Sequence, residues 1–238
     1  MVTYDGSGYH GWQRQKDHLT IQEVMESRIS RIVAHEVKLL GSGRTDAGVH
    51  ACNQVCNFKT SSQIPCRSLQ KGLNSLLPED IYVKEAADVP LKFHARFSAK
   101  SKIYEYRILN REEPDIFLRR YVWHIPVPLN TDAMKACVPM LLGTHDFSSF
   151  MSSGGSAKNP VRTVIRASLE DKGPFIHFTI EANGFLKHMV RNIVGTLVKT
   201  GLGKISEQDF QGIFLARDRQ LAGVKAPAQG LFLVRVNY

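Results

Sequence analysis

Apolar residues recur at helical spacing in LTIQEVMESRISRIVAHE. Ile21, Val24, Met25, Ile29, Ile32 and Val33 share one face, and Thr20 followed by Glu23 fits a capping box. The spacing predicts a helix. VKLLGSG reads as a short strand, NQVCNFKT as an alternating strand, CRSLQKGLNSLL as a helix stopped by Pro78, and DIYVKEA as a strand. The same mixture then recurs. SKIYEYRIL alternates, with Tyr104, Tyr106 and Ile108 on one face and Ile103, Glu105, Arg107 and Leu109 on the other. NTDAMKACVPMLLG is predicted helical, capped by Asn130 or Thr131 and kinked at Pro139. SSGGSAKNP (152–160) reads as a flexible loop carrying Lys158, with Arg162 just beyond. PFIHFTIEA and GLFLVRVNY read as strands.

The strongest helical pattern is GFLKHMVRNIVGTLVKTGLG. Phe185, Leu186, Met189, Val190, Ile193, Val194, Leu197 and Val198 fill a broad apolar arc. Gly184, His188, Arg191 and Gly195 fall together outside it. Glycine in a helix costs about 1 kcal/mol against alanine, so two on one stripe imply a close approach. Either another backbone packs there, or Arg191 reaches a site there. Two halves of this kind predict an α+β protein, each half an antiparallel sheet covered by helices. The expected boundaries are 1–97 for an N-terminal lobe and 98–238 for a C-terminal lobe, with the natural site in a cleft between them.

Composition narrows the class. The chain has 238 residues, 43% of them hydrophobic and 22% charged, as in an ordinary globular protein. No apolar run approaches the roughly 20 residues that span a bilayer, and MVTYDGSGYHGW lacks the layout of a signal peptide. The expected location is the cytoplasm. Cys52, Cys56, Cys66 and Cys137 show no C-x-x-C spacing, so disulfides are not expected. HACNQVC gathers His50, Cys52 and Cys56 but offers no fourth ligand, so no metal is expected. Net charge is +9. Up to Ser98 there are 12 Lys and Arg against 10 Asp and Glu; from Ala99 onward there are 19 against 12. The excess favours a polyanionic partner.

The stretch GSGRTDAGVHA (41–51) holds the candidate chemistry, with Arg44 and Asp46 on a glycine-rich turn. A phosphate-binding P-loop would continue Gly48 with Lys-Ser/Thr, whereas Val49 and His50 follow. In a dinucleotide fingerprint Asp46 would occupy the third glycine and repel a pyrophosphate. A generic reading remains, with Asp46 capping the turn and Arg44 in solvent.

GRTDAGVHA resembles the signature of the TruA family of tRNA pseudouridine synthases. So do YDGSGYHGWQRQ, FHARFSAKSKIYEYRILN, GTHDFSSF, FLKHMVRNIVGTL and GLFLVRVNY, in the family's order and across essentially the whole chain. The resemblance implies two similar α/β lobes with RRM- or ferredoxin-like antiparallel sheets, joined around a basic cleft in the pseudouridine synthase fold. It implies a homodimer that isomerises uridines 38, 39 and 40 of the tRNA anticodon stem-loop without a cofactor. It places Asp46 as the catalytic aspartate and Arg44 as an arginine that assists base flipping. Tyr104 is implied as the tyrosine against the base, and Arg191 as the arginine paired with the acid. The glycines of the loop are expected to let its backbone approach the nucleic acid. Two other functions stay open: a tRNA-binding folding aid without catalysis, and an unrelated enzyme with an aspartate nucleophile, such as a phosphotransferase. The family has several residues before YDGS where this chain has Met1, Val2 and Thr3, so a truncated or late-assigned start is expected.

Overall fold

The computed structural model describes residues 1–155, 157 and 159–238; Ser156 and Lys158, the latter singled out above, lie outside the described residues. The chain divides into two compact units, Met1–Lys100 with Phe232–Tyr238, and Ser101–Leu231.

The first unit contains β1 (Val2–Tyr4), α1 (Ile21–Val33), β2 (Leu40–Gly41), β3 (His50–Gln54), β4 (Cys56–Asn57), α2 (Cys66–Leu76) and β5 (Ile81–Val83). Strand β1 pairs antiparallel with β5 on one side and β3 on the other. The last strand of the chain, β11 (Leu231–Asn237), pairs in parallel with β3, with Phe232 opposite His50. Most of it, from Phe232 onward, groups with the first unit. Thr20 caps α1 by accepting from the Glu23 N–H, the Thr20 half of the expected capping box. Ile21, Met25, Ile29 and Val33 of the expected face are buried, as are Val2, Tyr4, Ile81 and Val83 on the strands of the same unit. Val24 and Ile32 are only half-buried, whereas two polar residues, Gln22 and Glu26, are buried.

The second unit contains β6 (Ser101–Asn110), β7 (Trp123–Ile125), α3 (Thr131–Cys137), β8 (Gly143–Asp146), β9 (Val161–Lys172), β10 (Phe175–Ala182), α4 (Met189–Gly201) and α5 (Glu207–Ala216). Strands β6, β10, β9 and β8 are antiparallel neighbours in that order, and β7 pairs in parallel with β6. The register sets Tyr104 opposite Ile180, Tyr106 opposite Phe178 and Ile108 opposite Ile176. All six are buried on one face, as the alternation requires. Helix α4 packs on β6 and is buried almost all round. It starts later than the periodicity suggests, because His188 takes a left-handed conformation (φ 61°) and Lys187 is drawn to Ser152 and Ser153 instead. Gly184 and His188 thus precede the helix. The predicted Pro139 kink appears as a change of helix type. Helix α3 stops at Cys137 and Val138–Leu141 winds on as a 3₁₀ turn, which tolerates proline near its start.

Candidate functional site

The loop carrying Arg44 and Asp46 is fixed first by α1. Gln22 and Glu26 sit one turn apart on its buried face. Leu39, the residue before β2, donates its N–H to Glu26 Oε1 at 2.9 Å and accepts from Gln22 Nε2 at 3.1 Å. Gln22 Nε2 also donates to Glu26 Oε1 at 2.9 Å. The Arg14 guanidinium lies 3.6 Å from Glu26, so the buried carboxylate has a cation as well as donors. This polar pair clamps both backbone groups of Leu39 and sets where the loop begins. Beyond it, Ser42 donates its N–H to the Val55 carbonyl at 2.8 Å, and Gln54 Nε2 donates to the Gly43 carbonyl at 3.0 Å.

The segment YDGSGYHGW grips the loop from its other side. Trp12 donates its N–H to the Thr45 carbonyl at 3.0 Å, and Gly48 donates to the Tyr9 carbonyl at 3.3 Å. The Tyr4 and Thr45 hydroxyls share a buried hydrogen bond of 2.8 Å. Gly11 has φ +88°, and a Cβ there would stand 2.5 Å from the Thr45 carbonyl oxygen. A Cβ on Gly6 would stand 2.1 Å from the Val49 carbonyl oxygen. Glycines thus let two chain segments touch. Gly41 serves the same end, since a Cβ there would meet the Trp12 indole at 2.5 Å. Its open face is therefore taken by protein, which differs from the expected use of this glycine in approaching nucleic acid.

Inside this clamp, Asp46 is half-buried, between the buried Thr45 and the exposed Ala47, and its carbonyl accepts from the Val49 N–H at 3.1 Å. Arg44 is exposed and donates from Nε to Gln13 Oε1 at 3.1 Å. Behind the loop, burial raises the Tyr4 phenol above its ordinary pKa, a rise that hydrogen bonds to Thr45 and Gln54 oppose. Burial, and then the hydrogen bond to Asp80 (2.6 Å), raise that of Tyr9. Both phenols remain neutral at physiological pH. The neighbours of Asp46 are thus immobilised by backbone and side-chain bonds, while its own side chain stands at a half-open turn.

Tyr104 and Arg191 belong to the second unit. Tyr104 is buried on β6, and its ring meets Phe185 edge-on with centroids 4.9 Å apart. Arg191 lies in the first turn of α4 and is 8% exposed. Its Nε donates to the Ala226 carbonyl at 2.7 Å, and its own carbonyl accepts from the Ala226 N–H at 3.1 Å. The close approach implied by Gly195 is made by this same segment, since a Cβ on Gly195 would stand 1.7 Å from the Val224 carbonyl oxygen. Backbone packing thus accounts for Gly195, the one glycine of the predicted stripe that lies within α4. The sequence reading missed the Gln22–Glu26 pair and residues 219–227. The signal for the first was two polar residues at i and i+4 inside an apolar stripe. Among the described residues, no group of three His, Cys, Asp or Glu is placed to hold a metal ion, and no helix is long and apolar enough to cross a membrane.

The chain matches the model of a family described as tRNA pseudouridine synthase over residues 1–98 and 137–238. It is 51% identical to the tRNA pseudouridine synthase A of Thermoanaerobacter sp. (strain X514), over all of this chain and 98% of that protein. Its identity to the tRNA pseudouridine synthase A of Acetivibrio thermocellus is 46% (all of this chain, 98% of that protein), and to that of Moorella thermoacetica 45% (all of this chain, 97% of that protein). Among solved structures, a Cbf5-Nop10-Gar1 complex aligns with 99% of this chain and 57% of its own, at 13% identity and a TM-score of 0.37. A family match over most of the chain and full-length identities of 45–51% agree: this protein belongs to the tRNA pseudouridine synthase family, a family of isomerases.

Proposed function

We propose that this protein converts uridines 38, 39 and 40 of the tRNA anticodon stem-loop to pseudouridine, in the cytoplasm, as a homodimer and without a cofactor. The observation that carries the reading is the clamp on Thr45 and Gly48, which fixes the turn on both sides of the half-buried Asp46. The reaction breaks the N1–C1′ bond, turns the uracil and joins C5 to C1′. The proton on C5 is lost and N1 regains one, so nothing is added or oxidised.

In this reading Asp46 acts on the sugar, as nucleophile at C1′ or base at C2′. Rigid neighbours keep a carboxylate at reacting distance without a reorganisation cost at the moment of reaction. Arg44, exposed on the same turn, enters the stack vacated by the extruded uridine and offsets part of the few kcal/mol that flipping costs. Tyr104 lies against the uracil, which an aromatic ring can hold in either orientation. Arg191 is the arginine paired with the catalytic acid. The surplus of basic residues after Ala99 holds phosphates.

The reading is tested by incubating unmodified tRNA with the protein and mapping pseudouridine by carbodiimide labelling and primer extension. Stops at 38, 39 and 40 are expected. Tight binding with no stops would favour a tRNA-binding folding aid. Stops at other positions would overturn the assignment to the anticodon stem-loop.

A further inference from the structure

Residues 219–227 run as a strap along α4 and are fastened to its first two turns. Arg219 Nη2 donates to the buried Asn192 Oδ1 at 3.0 Å. The Gly223 N–H donates to Thr196 Oγ1 at 2.9 Å. Gly223 and Gly195 face each other so closely that a Cβ on either would strike the other segment's backbone, at 2.4 Å from the Gly195 oxygen and 1.7 Å from the Val224 oxygen. The strap then meets Arg191 in two bonds, Ala226 N–H to the Arg191 carbonyl and Arg191 Nε to the Ala226 carbonyl. The next carbonyl, of Pro227, accepts from the Tyr106 hydroxyl at 2.7 Å. Tyr106 is itself fully buried on β6, two residues from Tyr104.

This arrangement fixes a side chain that otherwise has several free torsions. An arginine anchored at Nε keeps the plane of its guanidinium, and the anchor is a backbone carbonyl held on both sides by other bonds. The two glycines are what let the strap lie close enough to α4 to make it. A backbone shift of about an ångström at residue 226 would swing the guanidinium by a similar distance, enough to cost roughly a hundredfold in a preorganised site.

We propose that the strap is a positioning device for Arg191, with Gly195 and Tyr106 as positioning residues that act on the reaction only through that guanidinium. This rests on the role given above to Arg191. The experiment compares single-turnover rates and tRNA affinities of Gly195→Ala in the native protein and in an Arg191→Lys background, whose ammonium cannot make the Nε bond. In the native protein, Gly195→Ala is expected to slow the reaction about tenfold or more with tRNA affinity changed less than about twofold. In the Arg191→Lys background the same change is expected to cost about twofold or less, because coupled residues do not add. Should Gly195→Ala fail to fold, Tyr106→Phe, which removes only the bond to Pro227, carries the same comparison. Equal losses in both backgrounds, or a native-like rate in a folded variant, would overturn the strap's role. A wild-type rate for Arg191→Lys would instead overturn the need for a guanidinium at that position, and would leave the role of Asp46 untouched.

Discussion

The Tyr4 hydroxyl lies 2.8 Å from the Thr45 hydroxyl, both buried, one residue before Asp46. A strand at the start of the chain thereby holds a turn more than forty residues later. Tyr4→Phe removes the bond and leaves Thr45 with one partner fewer. A loss of about 1 kcal/mol in urea unfolding is expected, with a several-fold slower single-turnover rate and unchanged tRNA affinity.

Gly11 and Gly8 make a matched pair for testing the clamp. At Gly11 a Cβ would collide with the Thr45 carbonyl and φ is +88°; at Gly8 a Cβ would meet nothing within 4 Å. Gly11→Ala is expected to cost about 2 kcal/mol or more and most of the activity. Gly8→Ala is expected to stay within about 0.5 kcal/mol of the native protein. Chemical denaturation with parallel rate measurements checks both, and equal effects would contradict the clamp.

Glu26→Ala is expected to destabilise by roughly 2–3 kcal/mol, because the buried Leu39 N–H would lose its acceptor. The loop beyond Leu39 would loosen, so amide exchange across residues 40–46 should quicken more than in α2. Hydrogen exchange measured by mass spectrometry reads this directly.

Alkaline pH should weaken the first unit. Burial pushes the Cys56 thiol up to about 11 from an ordinary 9.0 and also raises the Tyr4 phenol. For groups whose folded pKa is raised, the stabilisation is complete below the unfolded value and is lost as pH climbs through the folded one. Ionisation of Cys56 should therefore leave stability unchanged up to about pH 8, and stability should decline from about pH 9 to 11. Urea midpoints of native and Cys56→Ala proteins across that range test the sign. Labelling of Cys56 at pH 8 should be about a hundredfold slower than that of an ordinary thiol.

Binding of tRNA should fall steeply between low and moderate salt, as counterions released from phosphates are recovered. Filter binding at several salt concentrations measures the slope, and a flat response would contradict a phosphate-dominated contact.

The elements with strong local periods were legible in the sequence: α1 from its stripe and Thr20 cap, β6 and β10 from their alternation. So was the loop of Arg44 and Asp46, by its glycines. What could not be read locally depends on partners far away in the chain. Gln22 and Glu26 look like a solvent-facing pair until Leu39 arrives to fill them. The start of α4 at Met189 is set by His188 and by the pull of residues 152 and 153 on Lys187, which no helical period encodes. The return of β11 to pair with β3 is tertiary altogether. Helix α5, by contrast, carried a readable capping box at Ser206 and Asp209 that the sequence reading did not use.

The proposed reaction needs the carboxylate of Asp46, and Asp46→Asn tests it most directly, since the amide keeps the side chain's shape and removes the carboxylate. With unmodified tRNA under single-turnover conditions, native protein should form pseudouridine. The D46N variant should bind tRNA within about threefold of native affinity and form pseudouridine at least about a thousandfold more slowly. Pseudouridine formed by D46N at the native rate would contradict the account.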